Sequence, residues 1–129
     1  MDEICDPNGV LDKLDLRPGQ RAVLLHVPDS TLADQLRGRG VIVSTRLVRD
    51  ADVIVLGAET LAALAGLRQI ITYLKRGGAL WTLTPKGKDG IKDTDVMGIA
   101  KAAGLVAVKV VAYGTSHSAS KFVIPKAAR

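Results

Sequence analysis

The chain has 129 residues, 47% hydrophobic and 24% charged, which is the size of one domain with one core and excludes a disordered chain. A lone cysteine, Cys5, rules out an intramolecular disulfide, and the apolar runs are too short to span a bilayer. The net charge of +5 is uneven: the first sixteen residues hold five acids against Lys13, whereas after Asp95 there are only bases, Lys101, Lys109, Lys121, Lys126 and Arg129.

Such asymmetry can mark a polyanion-binding face; scattered solubilising lysines are the preferred reading. The acidic start, Met1 to Asp6, lacks the apolar stretch of a signal peptide, so a reduced, cytoplasmic protein is expected. Aromatics make up only 3% (Trp81, Tyr73, Tyr113 and Phe122), which leaves the core to Val, Ile, Leu and Ala.

Residues 10–14 suggest a helical turn before Arg17-Pro18-Gly19-Gln20, where Pro-Gly signals a turn. Residues 21–27 (RAVLLHV) read as a buried strand stopped by Pro28. Asp29, Ser30 and Thr31 offer caps for a helix through Leu32, Ala33, Leu36 and Arg37, ended by Gly38 and Gly40. Strands follow at 41–45 (VIVST) and 52–56 (DVIVL), the latter a continuous apolar run of the kind buried on both faces in a parallel sheet.

The longest predicted helix covers 59–76, with Leu61, Leu64, Leu67, Ile70, Ile71 and Leu74 as its apolar stripe and Gly77-Gly78 as its stop. A strand at 79–84 (ALWTLT) leads to a polar loop at 85–93. Asp93 and Thr94 cap a helix through Val96, Ile99 and Ala103 that Gly104 ends. Two strands close the chain, 105–112 and 121–124. The connection Gly114-Thr115-Ser116-His117-Ser118 is too short for a helical crossover, so they pair antiparallel. The expected fold is α/β: a doubly wound, mostly parallel, Rossmann-like sheet with a C-terminal antiparallel strand pair, all within one domain at 1–129.

This order resembles the S-adenosylmethionine-dependent methyltransferase fold with one strand-helix unit missing. The stretch from Asp52 to Leu56, a helix, then Lys75-Arg76-Gly77-Gly78-Ala79-Leu80-Trp81 is similar to the methyltransferase helix exit into the next strand. More closely, the chain resembles a bacterial group of small proteins classed as a domain of unknown function. The resemblance lies in residues 16–20 (LRPGQ), Pro28, Gly78-Ala79-Leu80-Trp81, Thr84-Pro85-Lys86 and Ala102-Ala103-Gly104-Leu105.

The resemblance implies three cofactor-holding features. In place of a Gly-x-Gly loop after the first strand stands His26-Val27-Pro28-Asp29-Ser30-Thr31, where Pro28 lacks a donor and Asp29 puts a carboxylate at the helix start. In place of an acid after the second strand stand Thr45 and Arg46, and in place of an Asn/Asp-Pro-Pro-aromatic motif stand Gly57-Ala58-Glu59. No cofactor is therefore expected, with S-adenosylmethionine disfavoured. His26 and His117 lack further metal ligands, and neither a dinucleotide fingerprint nor a phosphate loop is present.

Ligands of open α/β sheets sit beyond the carboxyl ends of the strands, which makes His26, Asp29, Ser30, Thr45, Arg46, Gly57, Thr84, Lys86 and Lys88 the candidate ligand-binding residues. The expected function is a non-catalytic, methyltransferase-like binding or protein-interaction module. Its partner would be a protein or a small anionic ligand, or a second copy docked through the sheet edge or long helix. The alternatives are a methyltransferase with an atypical cofactor site at His26, Asp29 and Thr84, and a nucleotide- or nucleic-acid-binding module built on the basic 85–92 loop. Nucleic acid is disfavoured by the shortage of stacking aromatics.

Overall fold

The computed structural model describes residues 16–27, 31–58, 64, 66–85, 93–113 and 117–124. Its strands are β1 (Arg21–Leu25), β2 (Ile42–Ser44), β3 (Ala51–Gly57), β4 (Leu74–Pro85), β5 (Val106–Tyr113) and β6 (His117–Val123). The helices are α1 (Thr31–Gly38), α2 (Leu67–Ile71) and α3 (Asp93–Ala102). The six strands form one sheet in the order β2-β1-β3-β4-β6-β5. The first four run parallel, and β6 is antiparallel to both β4 and β5. This is the expected mixed, doubly wound sheet with its closing hairpin.

Two apolar layers flank the sheet. On one face Ala22, Leu24, Val53, Val55, Trp81, Leu83 and Ala119 pack with Leu32, Ala33 and Leu36 of α1. On the other, Val23, Ile54, Leu56, Leu80 and Phe122 pack with Leu64, Leu67 of α2 and Val96 and Ala100 of α3. The alternation along each strand follows from the two-residue period of the pleat. It puts the two largest fully buried side chains, Trp81 and Phe122, on opposite faces of adjacent strands.

The amino end of the sheet is pinned by two devices. Pro18-Gly19 makes the predicted turn: the Gln20 amide donates to the Arg17 carbonyl at 3.1 Å, and Gly19 has φ 87°. Gly19 donates in turn to the Gly40 carbonyl at 2.8 Å, which ties this turn to the end of the α1 unit. Asp52 Oδ2 accepts from the Arg21 amide at 2.8 Å, while its Oδ1 lies 3.6 Å from Lys75 Nζ, so one carboxylate joins the starts of β1, β3 and β4.

The helix predicted at 59–76 differs most. Residues 59–63 and 65 lie outside the described set, α2 is a five-residue helix, and β4 already begins at Leu74. The Thr72 and Tyr73 amides close the last turn onto Gln69 and Ile70, and Ala51 then donates to the Tyr73 carbonyl at 3.1 Å. Between the pairs Ala51↔Leu74 and Val53↔Ala79 the register shifts, so Lys75 to Gly78 form an irregularity in β4. Gly77 has φ 86°, and a Cβ on Gly78 would approach the Asp52 carbonyl oxygen to 2.8 Å. The glycine pair thus shapes a strand entry and does not stop a helix. Ile70 and Ile71 are helical as expected, whereas Leu74, read as the end of the same stripe, begins β4, because buried strand and helix residues have the same composition.

No strand or helix separates β2 from β3. Residues 45–50 carry the chain from the carboxyl end of β2, past β1, to the amino end of β3. Parallel strands ordinarily need a longer crossover. Here β2 is three residues long, and the pairs Val23↔Ser44 and Ala22↔Val53 put Ser44 three positions beyond Ala51 along the sheet. That offset and two strand spacings amount to about 14 Å, within the roughly 20 Å reach of six residues. Leu47 and Val48 pack from this strap onto the α2/α3 face. The strand-helix unit expected to be missing is replaced by it.

The predicted leader at 10–14, the caps Asp29 and Ser30, the loop residues 86–92 and the hairpin residues 114–116 lie outside the described residues. Among the described residues no helix is long and apolar enough to cross a membrane.

Candidate functional site

The chain leaves β1 to make β2 on one side and returns to make β3 on the other, so the strand order reverses between β1 and β3. Such a reversal opens a crevice beyond the carboxyl ends of the two strands, because their following segments depart to opposite faces. The residues at this point are His26 and Val27 after β1, and Gly57 and Ala58 at the end of β3.

His26 is exposed and has φ 55°, a left-handed conformation that side chains other than glycine rarely take. It turns the chain sharply off β1. Its carbonyl lies so close to Gly57 that a Cβ there would stand 2.1 Å from the His26 oxygen and 3.3 Å from the Val27 nitrogen. Only a glycine lets β3 finish against this turn. The Ala58 amide then donates to the Leu83 carbonyl at 2.9 Å, carrying the edge over to β4.

Next along the edge is Thr84, fully buried, with its Oγ1 unpartnered. It pairs with Ser118 of β6, as Thr82 pairs with Ser120. All four hydroxyls are buried on the α2/α3 side of the sheet, and Thr82 Oγ1 and Ser120 Oγ also have no partner. At the other end, Thr45 and Arg46 follow β2 and are exposed. Ser44 Oγ donates to the Arg46 carbonyl at 2.9 Å and accepts from its amide at 3.2 Å, fixing this exit from the strand.

The structure therefore brings His26 and Gly57 together, sets Thr84 one strand further, and places Thr45 and Arg46 beyond β1 on the opposite side. Asp29, Ser30, Lys86 and Lys88 lie outside the described residues. Ser118 and its neighbours were missed because β6 was read from Lys121, whereas it starts at His117. The signal was present in the period-two runs Thr82-x-Thr84 and Ser118-x-Ser120, which become one patch once the strands pair antiparallel. His117 itself registers with Pro85, so both histidines of the chain stand at this edge, with β3 and β4 between β1 and β6.

No family model matches the chain, and no curated protein does. Solved structures do. A TehB-like S-adenosylmethionine-dependent methyltransferase from Corynebacterium glutamicum is similar with a TM-score of 0.69 and 15% identity, over 92% of this chain and 87% of that one. A methyltransferase in complex with the Haloferax volcanii Trm112 activator has a TM-score of 0.69 and 12% identity, over 92% and 88%. The 1,6-didemethyltoxoflavin-N1-methyltransferase of Burkholderia thailandensis, with S-adenosylhomocysteine bound, has a TM-score of 0.60 and 10% identity, over 92% and 76%.

These likenesses overturn the expectation of a scaffold without a cofactor. That expectation rested on Pro28 lacking a donor and Asp29 setting a carboxylate where a Gly-x-Gly loop would bring backbone to the cofactor, and on Thr45-Arg46 and Gly57-Ala58-Glu59 in place of the other two features. In the structure His26 itself takes a left-handed conformation after β1, and its carbonyl packs against Gly57. The fold is that of a methyltransferase-like, mixed Rossmann sheet, shortened by one strand-helix unit.

Proposed function

We propose that the protein binds S-adenosylmethionine across the carboxyl ends of β1 and β3 and belongs to the methyltransferases in function, with a cofactor site of unusual composition. The carrying observation is the left-handed turn at His26 folded against Gly57 at the strand-order reversal. When bound, the cofactor supplies a sulfonium methyl group for transfer to a nucleophilic acceptor. In this reading the turn at His26 keeps the chain clear of the crevice and orients the backbone that follows. Gly57 lets the end of β3 pack directly against the His26 carbonyl, where any side chain would collide. Thr45 and Arg46 border it beyond β2. Thr84 adds a hydroxyl that no protein group engages.

The S-adenosylhomocysteine held by the Burkholderia thailandensis neighbour supports this choice of ligand over a ligand-free module. The neighbour bound to an activator supports the further expectation of a protein partner.

Titration calorimetry with S-adenosylmethionine and S-adenosylhomocysteine tests the reading, with ATP as the comparison nucleotide. One saturable site per chain for the first two, and at least tenfold weaker binding of ATP, is expected. The His26→Gly variant keeps the turn and should bind as the parent does. His26→Val cannot adopt this φ without strain and should bind at least tenfold more weakly. Absence of binding in the parent, or equal loss in both variants, refutes the proposal.

A further inference from the structure

We propose that the β2 edge of the sheet is a docking site for an extended, acidic segment of another protein, taken up as an added strand. Among the described residues β2 ends the sheet and pairs on one side only, with β1. Ile42 on it is 54% exposed, the most exposed large apolar side chain among the described residues. Beside it lies an open groove of about 250 Å³, lined by Arg21, Ile42, Ser44 and Val48. Val48, from the six-residue strap that packs Leu47 and Val48 on the α2/α3 face, forms one wall of this groove.

Charge selects the occupant. Between Leu16 and Asp50 the chain carries six arginines, no lysine and three aspartates. Arg21 lines the groove and is exposed. Arg49 adjoins Val48 and holds its guanidinium 6.0 Å from the centre of the Tyr73 ring. Of the nearby acids, Asp52 is engaged by the Arg21 amide and Lys75, Asp34 lies 3.9 Å from Arg37, and Asp50 is exposed next to Arg49. The margin is therefore basic and rich in the side chain best suited to paired carboxylate contacts. A second copy would bring arginine against arginine and is disfavoured. Arg21, Ile42 and Val48 share one face of the sheet, so a strand carrying an apolar and an acidic residue two positions apart would set the first on Ile42 and Val48 and the second beside Arg21, while its backbone pairs with β2. A nucleic acid would satisfy the charge but leave the apolar groove unused, and no aromatic side chain lines that groove for stacking.

The probe is a capped eight-residue peptide of repeat Val-Thr-Glu-Thr, which puts Val and Glu in turn on one face, titrated into ¹⁵N-labelled full-length protein. Shifts and slowed exchange centred on the Ile42 to Ser44 amides are expected. The peptide with Lys for Glu, and one with a central proline, should bind at least tenfold more weakly. Ile42→Asp and Arg21→Glu should each weaken binding at least tenfold. Both positions are exposed, so thermal melts within a few degrees of the parent should confirm that the variants fold. Binding at another surface, equal binding of the Lys peptide, no binding at millimolar peptide, or preference for a single-stranded oligonucleotide over the peptide would each overturn the proposal.

Discussion

Replacing Gly57 by alanine would set a methyl carbon 2.1 Å from the His26 carbonyl oxygen, 2.8 Å from the carbonyl carbon and 3.3 Å from the Val27 nitrogen. Ordinary carbon–oxygen contacts begin near 3.3 Å, so the shortfall at the oxygen is about 1.2 Å. All three obstructing atoms are backbone, and no rotamer change relieves them. Either the turn at His26 or the end of β3 must move, and β3 is bonded to β1 and β4 on its two sides. Overpacking of this kind costs about 1–3 kcal/mol or somewhat more. The reduced freedom of the unfolded chain returns only about 0.4–1 kcal/mol. The clash wins, and a net loss of about 2 kcal/mol is expected. With a urea slope of about 2 kcal/mol per molar, the unfolding midpoint falls by about 1 M. Gly98 in α3 is the control: a Cβ there meets nothing within 4 Å, and Gly98→Ala should raise stability by about 0.8 kcal/mol through helix propensity. Urea unfolding of both variants decides the matter. If Gly57→Ala unfolds at the parent midpoint, the close approach of β3 to the β1 turn, and with it the shape assigned to the crevice, is wrong.

Thr82→Val removes a fully buried hydroxyl that has no partner, and should stabilise the protein by about 1 kcal/mol in the same assay; a loss would mean that the hydroxyl is satisfied. Thr84→Val should give a similar gain in the free protein but weaken S-adenosylmethionine binding by calorimetry. Unchanged affinity would remove Thr84 from the site. His26→Gly relieves a left-handed histidine and should raise the melting temperature, by about 1 kcal/mol of stability or slightly less, and a lower melting temperature would show that the imidazole contributes more than its backbone strain costs.

The architecture was legible because the strongest sequence signals here are also the ones tertiary packing obeys. The continuous apolar run at Val53 to Leu56 and the largely apolar stretch Leu80 to Leu83 became central strands, and Pro18-Gly19, Gly40 and Gly104 all sit at turns with positive φ at the glycine. The failures share a cause. Leu74 to Gly78 pairs as a strand only because Ala51 and Asp52 lie alongside it, and Ser118 to Ser120 is a strand only because β4 and β5 flank it. Partners distant in sequence supply the hydrogen bonds there, and local propensity alone does not identify them. Topology alone placed His26 and Gly57 at the carboxyl edge of the sheet, where the structure has them. Their mutual contact was not readable, because it depends on a φ that histidine seldom adopts.

The strap at residues 45–50 has two consequences that separate the cofactor proposal from the docking proposal. A strand-order reversal requires only β1, its two neighbours and the departures that follow them, so shortening the chain beyond β2 leaves the reversal between β1 and β3 in place. The same shortening makes a three-residue strand the end of the sheet, with Ile42 bare and its groove bordered by arginine. Very short edge strands normally protect against pairing by offering few hydrogen bonds. Here that protection is weakened by an apolar side chain that a partner strand can cover, and specificity passes to the charged margin. Substitutions at Ile42 should thus alter partner binding with no change in cofactor affinity, whereas those at Gly57 should alter cofactor affinity whether or not a partner is bound.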